Sequence, residues 1–255
     1  STGGIGADKD FWNVVIDAAG TQWILVGAIK INNDLTITAG EFNVGAGSFD
    51  VYIDGNWTNN GTFDPYHGTV IFTGGSATIT TGGDGAGKTF NNVTIAADAA
   101  ATKTLVGNMG VGGNLNVTGG TFDLGTLDLA VTGNSNITGA TVTIGASAST
   151  GWTTTDLTIG TDGIVTCSGA SLISASGNWD SSIGTFNAGN SIVNLTGSGT
   201  VKSNSFSTIN PRSFYSLILA NNGQTTTMLS DLATHFLTVG DNTGVLTDGD
   251  ESYFI

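Results

Sequence analysis

The sequence has few charged residues and few residues that favour helices. Charged residues make up 10% of its 255 residues, against roughly a quarter in an ordinary soluble domain. Glutamate occurs only at Glu41 and Glu251. Threonine, valine, isoleucine and phenylalanine are frequent instead, and these residues favour a pleated, half-buried backbone. We therefore expect an all-β chain with almost no helix.

The scarcity of lysine and arginine excludes two classes of partner. The six cations are scattered, and the formal net charge is −14. Nucleic-acid binding needs a basic surface that releases counterions from phosphates, and anionic membrane surfaces attract clustered basic residues. No apolar run approaches the roughly 20 residues that span a bilayer. We expect neither nucleic-acid binding nor membrane insertion.

Cysteine is almost absent as well. Cys167 is the only one, so the chain can form no internal disulfide. It lies in a strand-like run, and we interpret it as a small buried hydrophobe and not as a reactive thiol. The chain opens at Ser1 without methionine or a basic-then-apolar leader, which is typical of a processed secreted protein or of a fragment. We expect a secreted, extracellular or cell-surface location.

Glycine and short strand-like runs are what the sequence has in abundance, with 40 glycines in all. The runs recur roughly every ten residues, alternate apolar with small polar residues, and end in Gly, Asn or Asp. Two or three runs per turn of roughly 20 residues would stack as rungs about 4.8 Å apart and close a core that one rung cannot form alone.

This pattern predicts one elongated domain, a right-handed parallel β-solenoid, or β-helix, over residues 1–255. Tandem β-sandwiches are the alternative, since they share short strands and regular turns. Two-residue hairpins prefer Asn-Gly or Asp-Gly turns. Those pairs are few here in comparison with single glycines, which favours the solenoid.

A longer repeat lies over this short one. Residues 55–63 read GNWTNNGTF and residues 177–186 read GNWDSSIGTF. Trp57 and Trp179 occupy equivalent positions, and their recurrence argues for core packing and against a unique sugar site. The domain therefore divides into a partial copy over 11–54, a copy over 55–176 and a copy over 177–246, with possible terminal arms at 1–10 and 247–255.

The repeat motifs resemble those of a known class of protein. Beside the GNW segments stand FNNVTI at 90–95 and GNLNVTGGTFDLG at 113–125. Together they resemble adhesin-like, β-helical repeat proteins of the surfaces of bacteria and archaea. The resemblance covers most of the chain and is weakest over 145–176. It implies a β-helix and a surface location, and it implies no active site.

We expect no enzymatic activity. Arg212, the only arginine, and the two histidines, His67 and His235, have no neighbouring carboxylate cluster in the sequence. Glycoside hydrolysis needs two carboxylates at a set separation, whereas single aspartates at turns, such as Asp34 and Asp180, are expected to cap their own backbone. A degenerate carbohydrate-active enzyme is the least favoured function.

Calcium is the only cofactor that the sequence suggests. Asp241, Asp248 and Asp250 lie in a Gly-rich stretch near the C-terminus, and crowded oxygen ligands suit a hard cation. Their spacing does not match an EF-hand loop. A solvated acidic tail is the favoured interpretation.

The ends of the chain carry the functional hypothesis. A solenoid has open ends whose strand edges pair readily with other chains. Apolar residues occur near both ends, namely Trp12, Trp23, Tyr253, Phe254 and Ile255. We therefore expect an extracellular structural protein, a subunit of a surface filament whose copies join head to tail. The alternative is an adhesin-type module that binds a carbohydrate, such as a surface glycan, or another ligand.

Overall fold

A computed structural model describes residues 10–146, 150–203, 214–219, 223–240 and 245–247. Within these ranges the chain forms strands and no helix. The strands pair in parallel and stack as a β-solenoid of about 10 turns. The predicted all-β solenoid is confirmed. Tandem β-sandwiches are excluded for the described residues, because sandwich sheets are built from antiparallel strands.

The strands are short, and most have three to six residues. In the first part of the chain they are β1 (Val14–Ile24), β2 (Ile29–Ile31), β3 (Leu35–Asn43), β4 (Val51–Ile53), β5 (Trp57–Asn59), β6 (Thr62–Asp64), β7 (Thr69–Phe72), β8 (Ala77–Thr80), β9 (Asn92–Ala96) and β10 (Thr102–Val106). In the middle they are β11 (Met109–Val111), β12 (Leu115–Gly119), β13 (Thr121–Asp123), β14 (Leu129–Val131), β15 (Ser135–Ile137), β16 (Thr141–Ile144), β17 (Trp152–Thr154), β18 (Leu157–Ile159), β19 (Ile164–Cys167) and β20 (Leu172–Ala175). The last are β21 (Trp179–Asp180), β22 (Thr185–Asn187), β23 (Ile192–Leu195), β24 (Gly199–Lys202), β25 (Phe214–Leu219), β26 (Thr225–Met228), β27 (Thr234–Val239) and β28 (Val245–Thr247).

Three sheets form the sides of the solenoid. Sheet I has 10 strands, namely β1, β3, β5, β6, β8, β10, β13, β16, β19 and β22. Sheet II has 11 strands, namely β2, β4, β7, β9, β12, β15, β18, β21, β24, β26 and β28. Sheet III has 7 strands, namely β11, β14, β17, β20, β23, β25 and β27. From β11 to β24 the chain visits sheets III, II and I in a fixed order, and each full circuit is one turn.

Alternation of side chains builds the core. In β4, Val51 and Ile53 are buried, whereas Tyr52 between them is only half-buried on the outer side. The same alternation recurs in most of the other short strands, such as β9 and β16, because successive residues of a strand point to opposite faces. Large aromatic side chains fill the interior, and Trp57, Trp152 and Trp179 are fully buried.

The long repeat is rotated about the solenoid axis. The rings of Trp57 and Phe63 are 4.8 Å apart at an interplanar angle of 79°, and those of Trp179 and Phe186 are 4.9 Å apart at 74°. The two copies therefore share their local packing, as expected for core residues. Nevertheless β5, which holds Trp57, lies in sheet I, whereas β21, which holds Trp179, lies in sheet II. The repeat contains a non-integral number of turns, so its two copies face different directions.

Polar side chains connect the corners of successive turns. Asp34 Oδ1 accepts hydrogen bonds from the backbone N–H of Asn56 at 2.8 Å and from its side-chain amide at 2.9 Å. The expectation that Asp34 caps its own backbone is therefore wrong, because stacking places donors of the next turn within hydrogen-bond distance of its carboxylate. Asp180 does cap locally, since its Oδ1 accepts from Ser182 N–H at 2.9 Å. A longer ladder of this kind runs through Asn92, Asn114, Asn134, Asp156, Asn178 and Thr200.

Candidate assembly surface at the N-terminal end

The first turn leaves the core of the solenoid open. Trp23 pairs with Phe42, and Phe42 pairs with Phe63, so that the three side chains form one inward column. Phe42 and Phe63 are 2% and 1% exposed, but Trp23 is 57% exposed. The cause is that no strand in the described part of the chain covers the outer edge of β1. Trp23 has the position of a core residue and the exposure of a surface residue.

The outer rim of this turn is also apolar. Val15 pairs with Thr36 and is 66% exposed, and Ile24 pairs with Asn43 and is exposed. Val15 and Ile24 of the first turn are thus apolar, whereas the residues that pair with them in the next turn are polar. Trp12, at the adjoining corner, is exposed as well. We name Phe11, Trp12, Val15, Trp23 and Ile24 the N-terminal apolar end.

A hollow opens within the N-terminal apolar end. Its volume is about 330 Å³, and its lining includes Phe11, Val14, Trp23, Leu25 and Phe42. A cavity of this size accommodates one or more apolar side chains from another chain, which would bury the exposed face of Trp23. The two residues near the N-terminus that the sequence analysis selected, Trp12 and Trp23, thus both lie at this end.

The opposite end also presents unpaired strand edges. Within the described ranges, β27 is the last strand of sheet III and β28 the last of sheet II. Phe236, Val239 and Val245 on these strands are exposed. Tyr253, Phe254 and Ile255, which were selected as assembly residues, lie outside the described residues.

Comparison with protein-family models, with curated proteins and with solved structures finds no match.

The other candidates from the sequence do not come together in the described residues. Arg212 and the calcium candidates Asp241, Asp248 and Asp250 lie outside them. His67 is exposed in a turn, and His235 stacks on Tyr215 with ring centroids 5.4 Å apart. Across the described ranges, no group of three or more His, Cys, Asp or Glu side chains could hold a metal ion, and no helix has the length and apolar character needed to span a membrane.

Cys167 has the environment of a core residue, as predicted. It is buried in β19, and burial raises the pKa of its thiol to about 11. Hydrogen bonding with Ser191 and Ser171 opposes this shift but does not cancel it. A thiol of this kind is protonated at neutral pH and is therefore a poor nucleophile.

Lys103 is a buried cation that the sequence analysis missed. Its side chain is fully buried, and its ammonium group donates a hydrogen bond of 2.7 Å to the backbone carbonyl of Asp54. Desolvation lowers its pKa, while the charges of Asp54 and Asp98 partly oppose that effect. The alternation of β10 could have predicted this burial, because Lys103 lies two residues before Leu105 and therefore points to the same, inward side of the strand.

Proposed function

We propose that this chain is an extracellular structural protein whose copies assemble head to tail into a surface filament through the ends of the solenoid. The single observation that supports the proposal most directly is Trp23, which continues a buried aromatic column but is itself 57% exposed. Covering an aromatic side chain of this size contributes roughly 1.5–3 kcal/mol to an association.

A second copy is the occupant that fits this end best. Among the described residues, β1 at the N-terminal apolar end has one parallel edge without a paired strand, and so do β27 and β28 at the other end. Strand addition between these edges would continue the existing hydrogen-bond pattern and bury apolar side chains of both ends. Such a heterologous contact does not close on itself, so repeated contacts produce a fibre.

One outer column of sheet I is polar in the turns that follow the N-terminal apolar end. The outer column that begins at Val15 continues through Thr36, Thr58 and Thr80 and reaches Val106 in β10. Polar residues thus occupy this column between its two valines, which disfavours lateral contact along it. The extracellular location and the relation to adhesin-like surface proteins are part of the proposal and come from the repeat motifs.

The test compares matched substitutions in one column. Val15→Glu places a charge at the N-terminal apolar end, and Val106→Glu places the same charge on the side of the same column, where Val106 is 43% exposed. Trp23→Glu is a second end variant. Sedimentation velocity and negative-stain microscopy would measure assembly against protein concentration, with circular dichroism as the check on folding.

We expect fibres from the unmodified chain and from Val106→Glu, and at least a tenfold higher critical concentration for both end variants. A chain without residues 247–255 is expected to assemble poorly if that arm is the connector. An unmodified chain that stays monomeric at high concentration, or end variants that assemble like the unmodified chain, would refute the proposal.

The proposal also holds that the chain has no enzymatic activity. Incubation of the purified full-length chain with polysaccharides is expected to release no reducing ends and no unsaturated products. Release of either product by the chain, with loss of that release after Arg212→Ala, would contradict this expectation.

A further inference from the structure

A polar groove lies along one corner of the first turns. Asp17 of β1 pairs with Ala39, and Gln22 pairs with Glu41, so residues 18–21 bulge out without partners in β3 and form one wall. Two adjoining hollows of about 480 and 320 Å³ lie along this corner, and Glu41 and Thr62 line both. We name these two hollows the corner groove.

Backbone forms much of the floor of the groove. A Cβ atom at Gly61 would lie 2.7 Å from the carbonyl oxygen of Gly40, and Gly40 has a φ of +82°. Side chains are therefore excluded at these two positions, and the groove stays open. The ammonium group of Lys88 donates to the carbonyl oxygens of Asn59 at 2.9 Å and Gly61 at 2.6 Å, so its charge is directed to the backbone beside the groove.

A hydrogen-bond network holds the two carboxylates of the groove in place. Glu41 Oε1 accepts from Gln22 Nε2 at 2.6 Å and from Asn43 Nδ2 at 3.0 Å. The same Asn43 nitrogen donates to Asp64 Oδ2 at 3.0 Å. Asn43 Oδ1 accepts from Gly45 N–H at 2.7 Å, which fixes the orientation of the amide. Glu41 Oε2 takes no hydrogen bond from any described residue, so it is an oriented acceptor available to a ligand.

The chemistry of the groove selects among ligand classes. The fixed charges of Glu41 and Asp64 repel anions. An amide donor, oriented by Gly45, already occupies the space between the two carboxylates that a cation would need. The larger hollow has no large apolar side chain in its lining, which disfavours apolar ligands. A neutral ligand rich in hydroxyl groups remains, because hydroxyls can donate to carboxylates and accept from amides.

We propose that the corner groove binds a neutral glycan. Glu41 and Asp64 accept hydrogen bonds from sugar hydroxyls, and Thr62 contributes a hydroxyl in both hollows. The backbone N–H of Tyr66 donates to Asp64 Oδ1 at 3.1 Å, which orients the second carboxylate of the groove. One wall of the groove belongs to β1, at the end of the solenoid, but Glu41, Thr62 and Asp64 belong to later turns, so their contribution to glycan binding can be tested apart from filament assembly.

We expect the groove to bind a glycan without cleaving it. Its two carboxylates share one amide nitrogen, and retaining glycoside hydrolases also use close carboxyl groups, roughly 5–5.5 Å apart. Their acid catalyst, however, needs a raised pKa so that it is protonated near neutral pH. Hydrogen bonds from Asn43 and Gln22 lower the pKa of Glu41, which keeps this carboxyl ionised and suits it to accept hydrogen bonds.

The test uses neutral hexasaccharides as probes. Maltohexaose, cellohexaose and α-1,6-mannohexaose would be titrated into the full-length chain by calorimetry, with hexagalacturonate as the anionic counterpart. Glu41→Gln removes the charged acceptor but keeps the shape, and Gln22→Leu removes the amide that orients it. Asp162→Asn is the control, because it removes the same charge at an exposed turn outside the groove.

We expect at least one neutral hexasaccharide to bind, with at least tenfold weaker binding to Glu41→Gln, weaker binding to Gln22→Leu and unchanged binding to Asp162→Asn. Hexagalacturonate should bind more weakly, and a chelator should change nothing. The proposal fails if no neutral probe binds at millimolar concentration, if Glu41→Gln binds as well as the unmodified chain, if chelation abolishes binding, or if the probe is cleaved. Fibre formation by Glu41→Gln should be normal. This variant therefore distinguishes a failure of the glycan-binding proposal from a failure of the filament proposal.

Discussion

Single residues inside the solenoid show how burial determines chemistry. Cys167 lies in an inward position of β19, and burial raises its pKa from 9.0 to about 11. The pKa of Lys103, by contrast, is lowered by burial. Both shifts have one physical cause, since each group favours its uncharged form away from water. Cys167 could be assigned to the core from its strand context, whereas the burial of Lys103 could be inferred only from the alternation of inward and outward residues in β10.

The raised pKa of Cys167 predicts loss of stability in alkali. Between pH 9 and 11 the thiol ionises in the unfolded chain but keeps its proton in the folded chain, so ionisation favours unfolding as the pH rises. From pH 8 to pH 10 the free energy of unfolding should fall by about 1 kcal/mol more in the unmodified chain than in Cys167→Ala. Urea unfolding at both pH values measures this difference. Equal losses in the two chains would show that Cys167 does not titrate in this way.

The strands and corners depend on close approach between successive turns. Gly151 has a φ of +65°, and a Cβ atom there would lie 2.2 Å from the carbonyl oxygen of Leu172 in the next turn. Only glycine fits both restrictions. Single glycines after strand-like runs indicated such corners, but the sequence alone did not show which glycines face a neighbouring carbonyl.

Two alanine substitutions distinguish a glycine that faces a neighbouring carbonyl from a glycine with open space around it. Gly151→Ala is expected to lower the free energy of unfolding by at least about 2 kcal/mol, because it combines backbone strain with a clash. Gly75→Ala should change it by less than about 0.5 kcal/mol, since nothing lies within 4 Å of the added Cβ atom and no positive φ is required there. Denaturant midpoints measure both effects, and similar losses at the two sites would contradict this assignment.

At the scale of the whole molecule, each turn is supported only by its neighbours. The stability of the whole solenoid therefore depends on the stacking of successive turns, and a terminal turn is stabilised on one side only. In the N-terminal apolar end, the inward side chain of Trp23 and the outer edge of β1 lack a covering turn in the described residues. Local opening is expected to begin at such a turn.

Hydrogen exchange at this turn would test the proposed assembly. In the monomer, amides of β1 should exchange faster than those of β12 and β15, which are paired on both sides. In the fibre, protection of β1 should increase by at least tenfold while that of β12 and β15 stays the same. If β1 exchanges equally fast in monomer and fibre, the N-terminal apolar end is not the contact between copies.

The amino-acid sequence by itself determined the all-β solenoid, the buried state of Cys167 and the core positions of Trp57 and Trp179. It could do so because alternation and glycine corners are local properties of a strand. Only the tertiary structure decided the rotation of the long repeat, the partner of Asp34 and the network that joins Glu41 to Asp64. These features depend on stacking between turns, and the offset between residues hydrogen-bonded across turns is not constant, since it is 19 at Asp54 and Thr73 but 27 at Ser203 and Ser230. Corners differ in length, and each one changes the position of every later residue around the solenoid. Which residues lie next to each other in successive turns therefore depends on the lengths of all the preceding corners.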